Sequence, residues 1–385
     1  MRLNRAGVGW GLGFWVGFLA ICPAAGAKEP AGLRVCVNAD RTFQAIDGFG
    51  VNINPAQWRE GNLRPVLDRL VGDLGCTLVR FAPTGLADWL DPARRNAEGV
   101  YPPAYLSEVY NSKVFRDAWA TFRALNARGL DPFFSVSGRI PGGLGRRDDP
   151  RRLGDFGGYA EMVVTIWMTE YGDLDQTGRI EHEVGWRSTR RLLRSLNEGF
   201  SAGLVWDAFD NLHEHDGAWS TYGLLATDVV QWRYSPKPRY YAARQVYRFV
   251  RPGFVRVATE PVRVEGPPDP YAAWHDPFRH VPLCAFVSPD RRDFTIVGTS
   301  ELEADTPLTV SLHGLAPEAM GKQVHCFLTG CKESCKQAGR VRIQGQGFRV
   351  TLKEHTVFTL TTLDESLQAA MQGRWNAEPR TQNTE

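Results

Sequence analysis

The stretch CTLVRF, residues 76–81, decides the fold. It is a short, mostly apolar run ending in an arginine, as expected of a buried strand whose last side chain emerges at the end of a sheet. Before it, LRPVLDRLVGDLG (residues 63–75) spaces Leu63, Val66, Leu67, Leu70 and Leu74 by three and four residues, which predicts an amphipathic helix stopped by Gly75. Earlier still, AIDGFGVNIN (residues 45–54) reads as a strand bracketed by glycines. After CTLVRF, residues 112–128 predict a second helix closed by Gly129, and DPFFSVSG (residues 131–138) a third strand. Strand, helix, strand, helix, strand is the order of parallel βα units.

The same grammar continues outward. A loop rich in Gly, Pro and Arg leads to a helix around FGGYAEMVVT (residues 156–165), a strand IWMTEYG (166–172), a helix STRRLLRSLNEGF (188–200) and a strand AGLVWDAFD (202–210). A loop from Asn211 to Pro238 follows, then an aromatic-rich helix, RYYAARQVYRFV (239–250), which stops before Pro252. Beyond Gly253 the texture changes to short alternating runs broken by turn residues, the pattern of an all-β domain and most simply a sandwich. LRVCVNADRTF (33–43) alternates in the same way at the other end of the chain.

The first residues look like an export signal. Arg2 and Arg5 precede an apolar stretch from Val8 to Ile21, and Ala25-Gly26-Ala27 offers a cleavage site, so export to a secreted or periplasmic location is expected. Ile21 before Cys22 argues against lipidation. The chain carries 45 basic and 43 acidic residues, and loss of Arg2 and Arg5 leaves 43 of each. A balanced chain gives no field for nucleic acid or for an anionic membrane, so neither is an expected partner. Six cysteines remain after Ala27, and the group Cys326, Cys331 and Cys335 is expected to supply one disulfide in an oxidising compartment. The expected organisation is a signal peptide at 1–27, a strand segment at 28–45, βα units at 46–252, the β-domain at 253–363 and a polar tail at 364–385.

Chemistry gathers at the C-terminal ends of parallel strands, and two such ends carry charge: Arg80 closes one strand and Glu170 another. An arginine beside a carboxylate favours its ionised form, the form a nucleophile requires. A strand-end ion pair with no catalytic role is the bland alternative. Trp206 ends the strand AGLVW, and Trp219 follows in the loop; both offer flat faces to a sugar ring or fill a core.

With these residues the chain resembles a clan A glycoside hydrolase, most closely glycoside hydrolase family 30 and its relatives. The likeness rests on DGFGVNI, LVRF, WMTEYG and LVWDAF as the first, second, seventh and eighth barrel strands, and on PRYYAARQVYRFVRPG leading into the β-domain. It covers about Leu33 to Thr362. The resemblance implies a (β/α)8 TIM-type barrel with a C-terminal β-sandwich that includes the N-terminal strand. It also implies retaining hydrolysis of a β-linked oligosaccharide or polysaccharide, with no metal or organic cofactor. Glu170 matches the nucleophile, Arg80 its supporting arginine and Trp206 the aromatic at the eighth strand, with Tyr171, Trp219 and Glu214 expected to face the sugar.

One departure is specific. Only about thirty residues separate Ile140 from Glu170, whereas the family pattern sets three further βα units there. An incomplete barrel lacking strands four to six is therefore expected, and with them the acid/base glutamate. Asn197-Glu198 imitates that motif but falls near a helix C-terminus, on the far face. Glu181 and Glu183 are expected in the loop after the Glu170 strand, with no spacing that sets either against a leaving group. His213 and His215 around Glu214 form only a fragment of a metal site. The reading is a glycosidase-like protein of weak or lost activity, or alternatively a non-catalytic carbohydrate-binding protein or degenerate scaffold.

Overall fold

The computed structural model describes residues 32–53, 61–81, 92–94, 96–97, 101–134, 167–173, 175–213, 218–261 and 280–363. The expected signal peptide, the helix at 156–165, Glu214, His215 and the tail lie outside them.

Strand β1 (Leu33–Ala45) opens the described chain and is followed by β2 (Gly48–Ile53). Next come helix α1 (Arg64–Asp68), continued by a wider turn to Leu74, and β3 (Leu78–Phe81). Leu63, Val66, Leu67, Leu70 and Leu74 are all fully buried, which is the stripe their spacing predicts. Each such side chain is worth about 1.5–3 kcal/mol relative to exposure. Gly75 ends the element at φ 89°, where a side chain would also press on the backbone of Arg248.

Helix α2 (Pro103–Asn111), not foreseen in the sequence, precedes α3 (Lys113–Asn126). The side chain of Ser112 caps α3 by accepting from the Phe115 N–H, and Gly129 turns the chain at φ 73° into β4 (Asp131–Phe134). Strand β5 (Trp167–Tyr171) leads to α4 (Glu181–Asn197) and β6 (Ala202–Val205). Strands β2 to β6 form a five-stranded sheet in the order β4-β3-β2-β6-β5, with every pair parallel. Gly50 lets β2 approach β3: a Cβ there would stand 1.9 Å from the Leu78 carbonyl oxygen.

Residues 211–236, expected as a loop, instead build two small hairpins. These are β7 (Asn211–His213) with β8 (Ala218–Ser220), and β9 (Leu225–Asp228) with β10 (Arg233–Pro236). Helix α5 (Pro238–Tyr247) follows.

The C-terminal strands are β11 (Val255–Pro261), β12 (Leu283–Val287), β13 (Phe294–Ser300) and β14 (Thr306–His313). They are joined by β15 (Gln323–Thr329), β16 (Lys336–Arg342), β17 (Gly347–Leu352) and β18 (Thr356–Thr361). Together with β1 they make one continuous nine-stranded sheet, ordered β16-β15-β18-β13-β12-β11-β1-β14-β17. Its two edge strands follow one another in sequence, so the sheet curls until its edges nearly meet at the turn from Arg342 to Gly347. Strand β1 lies parallel to β14 and antiparallel to β11.

Two cores result. Leu33, Val35, Val37, Leu283, Ala285 and Val287 point into the curled sheet. Cys284, Phe286 and Val297, on the opposite face of β12 and β13, join the core that holds α1, α4, α5 and the parallel sheet. Because both faces of β12 are covered, all five of its residues are buried, while β1 alternates. No disulfide forms among the described residues. Cys335 is instead buried against Phe249 and Phe327, and Cys331 stands exposed in a turn.

Candidate active site

The sheet is strongly curved where it matters. Strands β3 and β5 are separated by β2 and β6, so in a flat sheet they would lie about 14 Å apart. Yet Arg80 Nη1 on β3 is ion-paired directly with Glu170 Oε1 on β5. The chain therefore closes in a barrel-like arc, and the two strand-end charges read from the sequence meet across it.

Asn52, at the end of β2, completes the cluster, and sequence reasoning missed it. It is fully buried, and each side of its amide is used. Nδ2 donates to the Thr169 carbonyl at 3.1 Å and to the Val205 carbonyl at 3.1 Å, while Oδ1 accepts from Arg80 Nη1 at 2.9 Å. One side chain thus ties β2, β5 and β6 together and holds the arginine. The available signal was a polar residue inside GVNI, at a position buried on both sides.

The environments of the paired charges differ. The Arg80 side chain is 14% exposed and that of Glu170 is 52% exposed. The arginine is anchored below, and the carboxylate is open above.

Tyr171 does not fit the sugar-facing role expected of it. Successive residues of a strand point to opposite faces, so the neighbour of an outward Glu170 turns into the core. Tyr171 is buried, its hydroxyl 2.7 Å from that of Tyr247, which in turn donates to the Gly50 carbonyl at 2.8 Å. Burial pushes the Tyr171 phenol well above its ordinary range.

Trp206 leaves β6 half-buried, its backbone N–H donating to the Tyr171 carbonyl at 2.8 Å, and the Trp206–Asp207 peptide is cis. A cavity of about 10 Å³ lies beside it, lined by Tyr171, Gly172, Ser188 and Arg239 among others. That volume admits one water and no sugar. Trp219 is 45% exposed on β8, directly across from exposed Leu212, so it is not a core residue.

Three further carboxylates near these strand ends, Asp173, Asp210 and Glu181, are held by cations. Glu181 and Glu183, expected in a loop, are in the first turn of α4. Arg239 is nearly buried and clasps Glu181 with two nitrogens at 2.5 and 2.8 Å. It also donates to the carbonyls of Tyr222 and Asp175 at 3.0 and 3.1 Å. Asp173 faces Arg187 at 3.2 Å. Asp210 accepts from Lys237 Nζ at 2.8 Å, and burial raises the pKa of the acid and lowers that of the amine. Glu198 caps the end of α4, away from the strand C-termini. Among the described residues no group of three or more His, Cys, Asp or Glu is arranged for a metal.

The fold, a parallel βα sheet curved into an arc beside a β-domain that takes in the N-terminal strand, is similar to that of solved glycoside hydrolases of families 30 and 51. The chain shares this fold with the glycoside hydrolase family 30 endoxylanase of Clostridium papyrosolvens C71, at a TM-score of 0.52 and 14% identity, over 85% of this chain and 99% of the xylanase. The catalytic domain of family 30 xylanase C from Talaromyces cellulolyticus aligns at 0.52 and 15% identity, with 85% and 99% covered. The family 51 α-L-arabinofuranosidase of Thermotoga petrophila RKU-1 aligns at 0.50 and 11% identity, with 86% and 99% covered. No protein-family model and no curated relative matches the chain.

Proposed function

We propose that the chain is an exported protein acting on β-linked glycosides, with Glu170 as nucleophile and Arg80, steadied by Asn52, as the group that orients it. The ion pair carries this reading: a largely buried arginine grips one side of a carboxylate whose other side faces solvent. Nucleophilic attack needs that combination of fixed orientation and an open lone pair.

In the retaining reaction a Glu170 oxygen bonds to the anomeric carbon as the bond to the leaving oxygen breaks. A second carboxylic acid protonates that oxygen, and water then hydrolyses the glycosyl ester. The chemistry calls for no cofactor. We infer that barrel strands four to six, and with them the second acid, are missing. Supporting this, 32 residues lie between Phe134 and Trp167, against about 30 for each βα unit of a full barrel. The commitment of Glu181, Asp173 and Asp210 to Arg239, Arg187 and Lys237 further supports it. Loss of a general acid costs about 10²- to 10⁴-fold, so donors with activated leaving groups react while natural glycosides hardly do. The xylanase neighbours favour a xylan-like polymer as ligand, and the curled sheet serves as the sandwich of the family.

The same commitments, with Trp219 exposed, favour a second reading, a carbohydrate-binding protein that no longer turns over. Intact-mass spectrometry after incubation with fluorinated glycosyl donors separates the two. A covalent sugar on Glu170, lost in Glu170→Gln, is the expected result. A folded protein that takes up no sugar from any donor, yet binds xylo-oligosaccharides, establishes the second reading.

A further inference from the structure

Away from the strand ends, Cys331 and His182 form a pair that the proposed reaction does not use. Cys331 is exposed in the turn between β15 and β16, and its Sγ lies 3.5 Å from His182 Nδ1 in the first turn of α4. The other ring nitrogen, Nε2, lies 3.1 Å from the His355 carbonyl oxygen, in the turn between β17 and β18. A carbonyl oxygen only accepts, so Nε2 carries the hydrogen and Nδ1 presents its lone pair to the thiol. Nucleophile, base and a group that fixes the tautomer of the base are thus assembled from three separate segments. This is the arrangement that activates a weak nucleophile.

The turn itself is fastened down. Gly330 N–H donates to the Glu333 carbonyl at 3.0 Å, and Cys335 N–H donates to Thr329 Oγ1 at 3.0 Å. Cys331 is therefore held against His182 by its own turn. The remaining thiols among the described residues differ: Cys76, Cys284 and Cys335 are buried, and Cys36 and Cys326 are partly covered.

We propose that Cys331 is a base-assisted reactive thiol whose substrates are low-molecular-weight disulfides. The Cys331 proton passes to His182 Nδ1 as Sγ attacks one sulfur of the disulfide. The S–S bond breaks, one half stays on Cys331 as a mixed disulfide, and the other leaves as a thiolate that collects the proton from His182. The exchange involves no further oxidant. The adduct occupies the seam between α4 and the β-domain and removes the thiol from the ring that the His355 carbonyl steadies.

The probe is dithiodipyridine at pH 7, with release of the thiopyridone followed by absorbance and the label located by peptide mapping. An unassisted exposed thiol is only a few per cent thiolate at this pH, so base assistance leaves room for about a tenfold gain. The expected result is one thiol, Cys331, reacting about tenfold faster than the same cysteine in a free peptide of residues 328–334. His182→Gln brings it back to the peptide rate, and Cys331→Ser removes the fast phase. Reaction of Cys331 at or below the peptide rate overturns the proposal, as does a fast phase mapped to another cysteine or an unchanged rate in folded His182→Gln. The peptide comparison decides the matter even if His182→Gln does not fold.

Discussion

Asn52 spans three strands with one amide, and removing it exposes what holds the arc closed. In Asn52→Ala the Thr169 and Val205 carbonyls lose their donor inside the protein, and Arg80 loses its neutral acceptor. Each buried group left without a partner costs about 1–3 kcal/mol, so a loss of about 3 kcal/mol is expected after partial relaxation. Urea unfolding measures it, and a midpoint matching the wild type would contradict the bracing role. Asn52→Ala also frees Arg80 to swing, so any glycosylation of Glu170 by an activated donor is expected to slow at least tenfold in protein that remains folded. An orienting group is lost while the Glu170 carboxylate itself is untouched. Glu170 and Arg80 were legible in the sequence because each closes an apolar run at a strand end. Asn52 was not, because its partners at Thr169 and Val205 are 117 and 153 residues away and are backbone atoms, which leave no mark on composition.

At the scale of elements, the long runs were readable and the short ones were not. The α1 stripe and the glycine stops at Gly75 and Gly129 announce themselves through spacing. Strands β7 and β8, of three residues each, are too short to show an alternation, so their hairpin read as loop. These hairpins are held to α5 by the Asp210–Lys237 pair, in which Lys237 Nζ also donates to the Thr221 carbonyl at 2.7 Å. Both side chains are nearly buried, so Lys237→Met strands the Asp210 carboxylate and is expected to cost about 3–5 kcal/mol. The pH dependence carries the signature. Burial already raises the Asp210 pKa and Lys237 opposes that rise, so the variant raises it further. A folded-state pKa above the unfolded one gives stability that is fully present below the unfolded value and is lost as pH rises through the folded value. The deficit of Lys237→Met relative to wild type is therefore expected to be smaller at pH 4 than at pH 8 in denaturant titrations. A deficit that is flat or grows on acidification would show that the carboxylate is not what the lysine protects.

At the scale of the molecule, the sequence announces a boundary near Pro252 through a change of texture, but the packing crosses it. Phe286 and Val297 of the curled sheet belong to the same core as Leu193 and Val246 of the helices, because alternate residues of β12 and β13 face outward onto α4 and α5. No local pattern in VPLCAFV separates the residues that line the inner core from those that line the outer one. Polar ties run along the same seam. Gln245, fully buried on α5, donates to Thr329 Oγ1 at 2.9 Å and accepts from Thr359 Oγ1 at 2.6 Å, and Thr295 Oγ1 donates to the Phe249 carbonyl at 2.8 Å. Two layers that share a core and a satisfied buried amide cannot unfold separately without exposing both. The expectation is a single transition in which tryptophan fluorescence, dominated by the βα half where Trp167, Trp186, Trp206 and Trp219 reside, coincides with the far-ultraviolet signal of the β-rich half. Gln245→Ala is expected to shift both probes together by about 2–4 kcal/mol, since it removes one hydrogen-bond partner from each of two buried threonine hydroxyls and leaves a void. Two resolved transitions, or a shift confined to one probe, would mean that the βα half folds without its β-domain. In that case the arc carrying Arg80 and Glu170 must draw its stability from elsewhere.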